Sequence, residues 1–479
     1  MSIVLVDIFL FLIILAAPLM YGAVSFISLA ILSGAALLVF NLSCLSRPSP
    51  LKILVRHPFV WLGAAMTFYI IFQLILWPAQ FIKFLSPATY YSYLMYFSGG
   101  AVGDTWRTFS LYPSDTVRGL IQFLMYGAVF MTIILRLSHC QKGDEVIHPT
   151  SFRKSEYLKL GCLSGVFAMV FHSLYDFNLH IPANGLYFTV LLALVAGTLT
   201  EEYDHKFFRK AVDSIIMLGF FIALFAIIQK FSYNGHIYWV GMRANHPVGP
   251  FYNYDHYAGF MAMCSSLAVS MVAASMMHTS FFRQQGFVKK VLWFSTVEAN
   301  RSLRYIMMSA VMVATIFIST SRGGIMSFAL SQIIFFAIVL WAGWRARKSG
   351  RIVGILTTIV LLIGVMVVWL GPEAFLKRFH LFSIQKIIKM EGPIDVRLLF
   401  YNDTLKMIKD FKVIGTGLNT FGTSFTKYRT FDYTDDYLRY THNDYLQLIS
   451  ETGLAGALFL AGFMYLFLAS MIRVARKLE

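Results

Sequence analysis

Long apolar runs recur along the whole chain, and they constrain its fold more than any other feature. The first begins SIVLVDIFLFLIILAAPLM at residue 2; twelve such runs are centred near residues 12, 33, 68, 127, 168, 192, 220, 267, 312, 334, 361 and 463. A helix needs about 20 largely apolar residues to cross a bilayer. With 58% hydrophobic residues, only 13% charged and a mean hydropathy of +0.66, the 479-residue chain is too apolar for a soluble globular protein. The expected fold is an all-α polytopic membrane protein of about 12 transmembrane helices.

Charge gives the expected orientation, because short cytoplasmic loops collect Lys and Arg. With the N-terminus inside, alternate short loops and the C-terminus receive 23 of the 40 basic residues, including Arg47, Arg136, Lys159, Arg209, Arg304, Arg345 and Arg476. The long segment from Gly371 to Gly453 carries 11 more, nearly balanced by 10 acids, and only 6 fall elsewhere on the outside. This predicts both termini in the cytoplasm and a single membrane domain, residues 1–479, with one large external loop at 371–453. The net charge of +16 then faces anionic lipid headgroups, and needs no nucleic-acid partner. Asp7 and Asp213 fall near the inner ends of their helices, where they are expected to reach water. Cys44, Cys140, Cys162 and Cys264 show no CxxC or metal-type spacing and are expected to be free thiols. The N-terminus lacks the basic region and cleavage site of a secretory signal and is expected to remain as the first span.

Against this apolar background, certain polar groups stand out at the expected external face. They are Arg243, His256 in GPFYNYDHYAGF, Arg322 in STSRGG, Arg397 in DVRLLFY, and His442, Asn443 and Asp444 in THNDYLQL. HSLYDFNLHIPAN at 172–184 belongs with them, although His172, Asp176 and Asn178 there read best as hydrogen-bonding a short re-entrant turn. Arg322 is costly so close to the membrane unless it serves a function or snorkels to lipid phosphate. Arg397 reads equally as an ordinary helix charge, and Arg243 is similarly open. His256 fits capping or packing as well as chemistry. Asp255 fits a helix N-cap; Asp444 could orient His442, contact sugar or cap the last helix. LKRFHLFSIQKIIKM at 376–390 is a basic amphipathic stretch suited either to outer headgroups or to a lid. The external segments 80–116 and 230–259 crowd Gly, Pro and aromatic residues, as interfacial and partly buried loops do.

Read together, SRGG, RLLFYNDTLKMIKDFKVIGTGLNTF and HNDYLQLISETGLAG resemble the O-antigen ligase and O-antigen polymerase superfamily of bacterial membrane glycosyltransferases. His442 is followed by ten residues and then Gly453, the H-x10-G spacing associated with its ligases. The resemblance spans about Gly249 to Ala469. It implies a glycosyltransferase C-like fold with a large helical periplasmic loop, in the bacterial inner membrane, with the active site on the periplasmic side. It also implies transfer of a glycan from undecaprenyl pyrophosphate to an acceptor hydroxyl, on a glycan or a lipid A-core, with inversion and without a metal or other cofactor. His442 matches the family's proposed base, and Arg322 and Arg397 match its pyrophosphate-binding arginines; Arg243 and the supporting Asp444, His256 and Asn443 complete the candidate set. Two departures stand beside the match. Arg397 is followed at the R-x3-L spacing by Tyr401, and the HSLYDFNLHIPAN segment lies in the first half of the chain, whereas relatives carry such a segment near the C-terminus.

The residue types suit that chemistry. A neutral imidazole can take a proton from an attacking sugar hydroxyl, and arginine presents a permanently charged fork to diphosphate oxygens. The competing class is a transporter of polysaccharide or lipid-linked glycan, since twelve spans is also a transporter count, but the chain shows neither repeats nor ionisable residues near the membrane midplane. A third reading is a noncatalytic scaffold. Sequence leaves ligase, polymerase and protein glycosylase open.

Overall fold

The computed structural model describes residues 2–96, 105–139, 149–199, 202–243, 247–277, 279–281, 284–345, 393–430 and 439–478. Its helices, in chain order, begin with α1 (Ser2–Leu19), α2 (Phe26–Leu45), α3 (Pro50–Leu54), α4 (Pro58–Leu74), α5 (Ala79–Leu85) and α6 (Pro87–Tyr96). There follow α7 (Pro113–Leu137), α8 (Pro149–His172), α9 (Pro182–Thr198), α10 (His205–Ser232), α11 (Tyr254–Met277) and α12 (Phe287–Trp293). The last are α13 (Val297–Ser319), α14 (Arg322–Arg345), α15 (Pro393–Asp410), α16 (Phe421–Ser424) and α17 (Asp444–Leu478). Seven of these, α2, α7, α10, α11, α13, α14 and α17, are long and apolar enough to cross a membrane, while α1, α4 and α9 are apolar but shorter. The protein is therefore an all-α polytopic membrane protein. The run near residue 361, the amphipathic stretch at 376–390 and Cys140 lie outside the described residues; Cys44, Cys162 and Cys264 are free.

Starts and stops are local. Proline opens α3, α4, α7 and α9, where its missing N–H costs nothing. Ser25, Asp204 and Thr296 cap α2, α10 and α13 with side-chain oxygens. Helix α13 ends at Thr320 in left-handed conformation, turning the chain into α14.

Helix α11 is innermost, buried without interruption from His256 to Ala274, and packs on α8 and α13. Gly161 and Gly165 let α8 approach it: a Cβ at Gly161 would collide with Ser270 Oγ, and one at Gly165 would meet the Met263 backbone at 3.2 Å. In an apolar solvent such small-residue contacts replace the hydrophobic effect as the source of helix association. The 80–116 segment supplies β2 (Trp106–Arg107), which pairs antiparallel with β1 (Trp77–Pro78) just before the segment. Its Phe81 and Phe109 pack with Phe72, Trp77 and Ile414, so these aromatics tie the segment to the loop after α15.

At the bundle end away from the His442 cluster, two expectations need correction. Asp7 does not simply reach water: Arg136 bridges it and Asp204, at 2.7 Å each. Asp213, by contrast, keeps its side chain 38% exposed, as expected, while it pairs with Arg209 at 3.1 Å. Lys159, expected in a cytoplasmic loop, is buried in α8, 2.7 Å from Glu156 and over the Tyr203 ring. Charges this deep persist because partners of opposite sign are within hydrogen-bond distance.

Candidate functional site

His442 sits in a turn built by its neighbours. Thr441 Oγ1 accepts the Asn443 N–H and donates to the Asn443 carbonyl, while Asn443 Oδ1 accepts the Tyr445 and Leu446 N–H groups at 3.0 Å each. Asn443 is thus the N-cap of α17, and His442 immediately before it takes a left-handed φ of 54°. Asp444, one of the cap alternatives, instead accepts from the Leu179 N–H at 3.1 Å and pairs with His180 Nδ1 at 2.7 Å.

The H-x10-G spacing has a structural reason. Gly453 breaks α17 with φ 58° and ψ −140°, and a Cβ there would collide with the Val413 carbonyl oxygen. Through this notch the 413–419 loop docks: Leu454 N–H donates to Val413, Thr416 to Ser450 and Gly417 to Glu451. The Glu451 carboxylate then accepts the Asn419 and Phe421 N–H groups, and Gln73 of α4 spans the loop and α17. The stretch between histidine and glycine is the first limb of α17, whose length sets the separation of the histidine turn and the docked loop.

The segment read as a plain re-entrant turn joins α8 to α9 and also faces His442. Asp176 Oδ1 lies 3.1 Å from His442 Nδ1, and its Oδ2 accepts from Asn178 Nδ2 at 3.2 Å. Asp176 is buried, whereas the His442 side chain is 29% exposed. Burial alone would raise the Asp176 carboxyl. The His442 hydrogen bond and charge carried by His256, His442 and His172 outweigh it and hold the carboxyl below the usual range. Burial opposes protonation of His180, but its bond to Asp444, with the charges of Asp444 and Glu451, raises its pKa. Phe177 stacks on Tyr440 at 4.3 Å and sets its edge against the rings of His256 and His442, both at 4.9 Å. Tyr401 donates to the His442 carbonyl at 2.9 Å, so the position that departs from R-x3-L holds the histidine turn to α15.

Arg322 opens α14, half-buried, between Ser321, which donates to Asp255, and Gly323, whose Cβ would touch the His172 ring at 2.9 Å. Asp255 is not the N-cap of α11; Asn253 Oδ1 takes the Asp255 N–H at 2.8 Å. Arg397 on α15 is close enough for its charge to act on His172, Asp255 and Tyr401. His256 is buried with Nε2 lacking a hydrogen-bond partner among the described residues, and its carbonyl accepts from Asn184. The structure thus brings His442, Asn443, Asp444, His256, Arg322 and Arg397 to one end of the bundle. Arg243 stands apart in the exposed turn after α10, bridged to His236, and no described contact joins it to the others. The N-termini of α9, α11, α14 and α17 converge here, adding partial positive charge suited to an anion.

Sequence reading missed Asp176, Asp255, His172 and His180 as participants. Their polarity amid apolar runs was visible; what each faces, over 250 residues away for Asp176 and His442, was not. His172, Asp176 and Asp255 also place ligand-type atoms within 4.8 Å of one another, a set able to hold a cation. Those groups already engage Asn178, His442 and Ser321.

Fold and site together define a multi-helix membrane protein with a histidine–carboxylate pair and two arginines where several helices begin. Residues 307–461 match the O-antigen ligase family (Wzy_C), and this supports the O-antigen ligase and polymerase superfamily for the chain. The matched region takes in Arg322, Arg397, His442 and Gly453 but not GPFYNYDHYAGF or the Asp176 turn. No curated protein and no solved structure matches the chain. The match supports, in general terms, a membrane glycan ligase or polymerase, and the family implies lipid-linked glycans as its substrates.

Proposed function

We propose that the protein transfers a glycan from undecaprenyl pyrophosphate to an acceptor hydroxyl by a metal-independent, inverting displacement. The pair Asp176–His442 beside two arginines is the observation that carries the reading. Asp176 accepts from His442 Nδ1–H and so leaves Nε2 as the basic nitrogen. Nε2 takes the acceptor hydroxyl proton while that oxygen forms the new bond to the anomeric carbon. The bond from that carbon to the diphosphate oxygen breaks in the same step, and undecaprenyl diphosphate leaves with the electron pair. Arg322 and Arg397 stabilise the charge that grows on it, each contact worth about 3 kcal/mol of barrier, or about 10² in rate. Asn443 fixes the turn, Asp444 anchors α17 to the α8–α9 connection, and His256 packs against Phe177; Arg243 has no part in the reaction. In this reading the protein lies in the bacterial inner membrane with about 12 spans, both termini in the cytoplasm, and the site and the 371–453 loop in the periplasm.

The test is transfer by purified protein in lipid nanodiscs supplied with an undecaprenyl-pyrophosphate oligosaccharide and candidate acceptors, products being read by gel and mass. Wild type should form product and His442→Ala should not; a ladder identifies a polymerase and a single shift of a core lipid a ligase. Equal product from His442→Ala removes the proposed base.

A further inference from the structure

Asp255 stands in the first turn of α11, partly buried at the end of the bundle that holds His442. It does not serve its own helix, which Asn253 caps. A carboxylate oxygen of Asp255 lies within 4.8 Å of one from Asp176 and of a His172 ring nitrogen. Two carboxylates that close repel each other, and both repel a diphosphate beside them. The side chain is instead turned on α14: its Oδ1 accepts the Ser321 hydroxyl.

Ser321 is fully buried and is the N-cap of α14. Its Oγ accepts the Gly324 N–H at 3.0 Å and its carbonyl the Ile325 N–H at 3.0 Å. A hydroxyl that donates to a carboxylate has its hydrogen fixed on that side, which leaves its lone pairs to the amide it caps. Arg322 is the first residue of the helix so capped. Sterics hold this turn from one direction: a Cβ at Gly323 would meet the His172 ring at 2.9 Å, and one at Gly324 would collide with Ala258, so α14 begins flush against α8 and α11. The Asp255–Ser321 bond holds it from the other, since the turn cannot lift off α11 without breaking it. Thr320 just before the cap has φ 58°, a conformation that a β-branched residue adopts only where its surroundings impose it.

Resting on the transfer reading above, we propose that Asp255 is a positioning residue: through Ser321 it fixes the first turn of α14 and thereby sets Arg322 for the leaving diphosphate. It touches no substrate. A charged acceptor makes roughly twice as strong a bond as a neutral one, and the charge of Arg397, which reaches Asp255, offsets the repulsion.

The test combines mutant cycles in the nanodisc transfer assay with hydrogen exchange of the same preparations. Displacing a group at the site by about 1 Å costs about 10² in rate, so Asp255→Ala should lower kcat about 10²-fold. Asp255→Asn keeps an acceptor oxygen with roughly half the bond strength and should recover about tenfold of that loss. In an Arg322→Ala or Ser321→Ala background, Asp255→Ala should cost less than about threefold more, because the group it acts through is already gone. Losses that multiply to about 10⁴ in Asp255→Ala/Arg322→Ala, or unchanged kcat in folded Asp255→Ala, overturn the proposal. Should Asp255→Ala fail to fold, the cycle is run with Asp255→Asn, whose expected tenfold loss must likewise vanish beside Arg322→Ala. Without substrate, the variant that folds should speed exchange in the peptide carrying the Gly324 and Ile325 amides, by about tenfold for Ala, and leave the later turns of α14 unchanged. Wild-type protection there overturns the proposal with no turnover needed, so a wild type that transfers nothing counts against the transfer reading alone.

Discussion

Replacing Asp176 with asparagine keeps the side chain's size and removes its charge at one defined contact. The carboxylate is buried and lies 3.1 Å from His442 Nδ1. A hydrogen bond to a charged group contributes roughly 1.5–3 kcal/mol, and in the proposed transfer the carboxylate also stabilises the imidazolium that forms. The asparagine introduced by Asp176→Asn can turn its amide N–H toward Nδ1, which moves the ring proton to Nε2 and removes the base. A loss of about 3 kcal/mol corresponds to about 10² in rate. The assay is single-turnover transfer from the lipid-linked oligosaccharide in nanodiscs at saturating donor, with thermal unfolding of the same preparation. We expect kcat to fall about 10²-fold with little change in the donor KM. Because the folded carboxyl is held below its ordinary range, its stabilising contribution is fully present above about pH 4 and is lost as pH falls through the lower folded value. The melting difference between wild type and variant should therefore stay constant from about pH 5 to 8 and shrink only in stronger acid. Unchanged kcat with intact folding would refute the assignment of Asp176 as the group that positions His442.

The other tests use different parts of the structure. Arg322→Ala and Arg397→Ala should each lower kcat about 10²-fold, with Lys restoring only part because it lacks the bidentate fork; steady-state transfer reads both. Gly453→Ala sets a Cβ against the Val413 backbone with φ at 58°, which should cost roughly 2–4 kcal/mol and appear as a lower melting temperature in detergent. His180 has its pKa raised in the fold, so its contribution is complete below about pH 6.5 and is lost as pH rises through the folded value. Wild type should lose melting temperature between about pH 6.5 and 9, and His180→Gln should flatten that slope.

The apolar runs by themselves determined that this chain is helical and lives in a membrane, because a run of about 20 residues without charge has nowhere else to go. They located α2, α7, α10, α11, α13, α14 and α17, since span length and hydropathy are local properties. His442 and the two matching arginines were legible for a similar reason: polar residues flanking apolar helices are conspicuous, and the glycine eleven places beyond the histidine marks the break in α17. What faces them was not legible. Asp176 and His442 sit at the ends of helices far apart in sequence, and only the packing of α8, α9, α11 and α17 sets one against the other. The same packing left Arg243 aside despite its equal prominence, and turned Asp7 and Lys159 from water-seeking charges into partners of Arg136 and Glu156. A single polar residue in a sequence announces only its desolvation cost; the partner that offsets that cost is chosen by tertiary structure, because hydrogen bonds act over about 3 Å and the chain does not record which distant groups come that close.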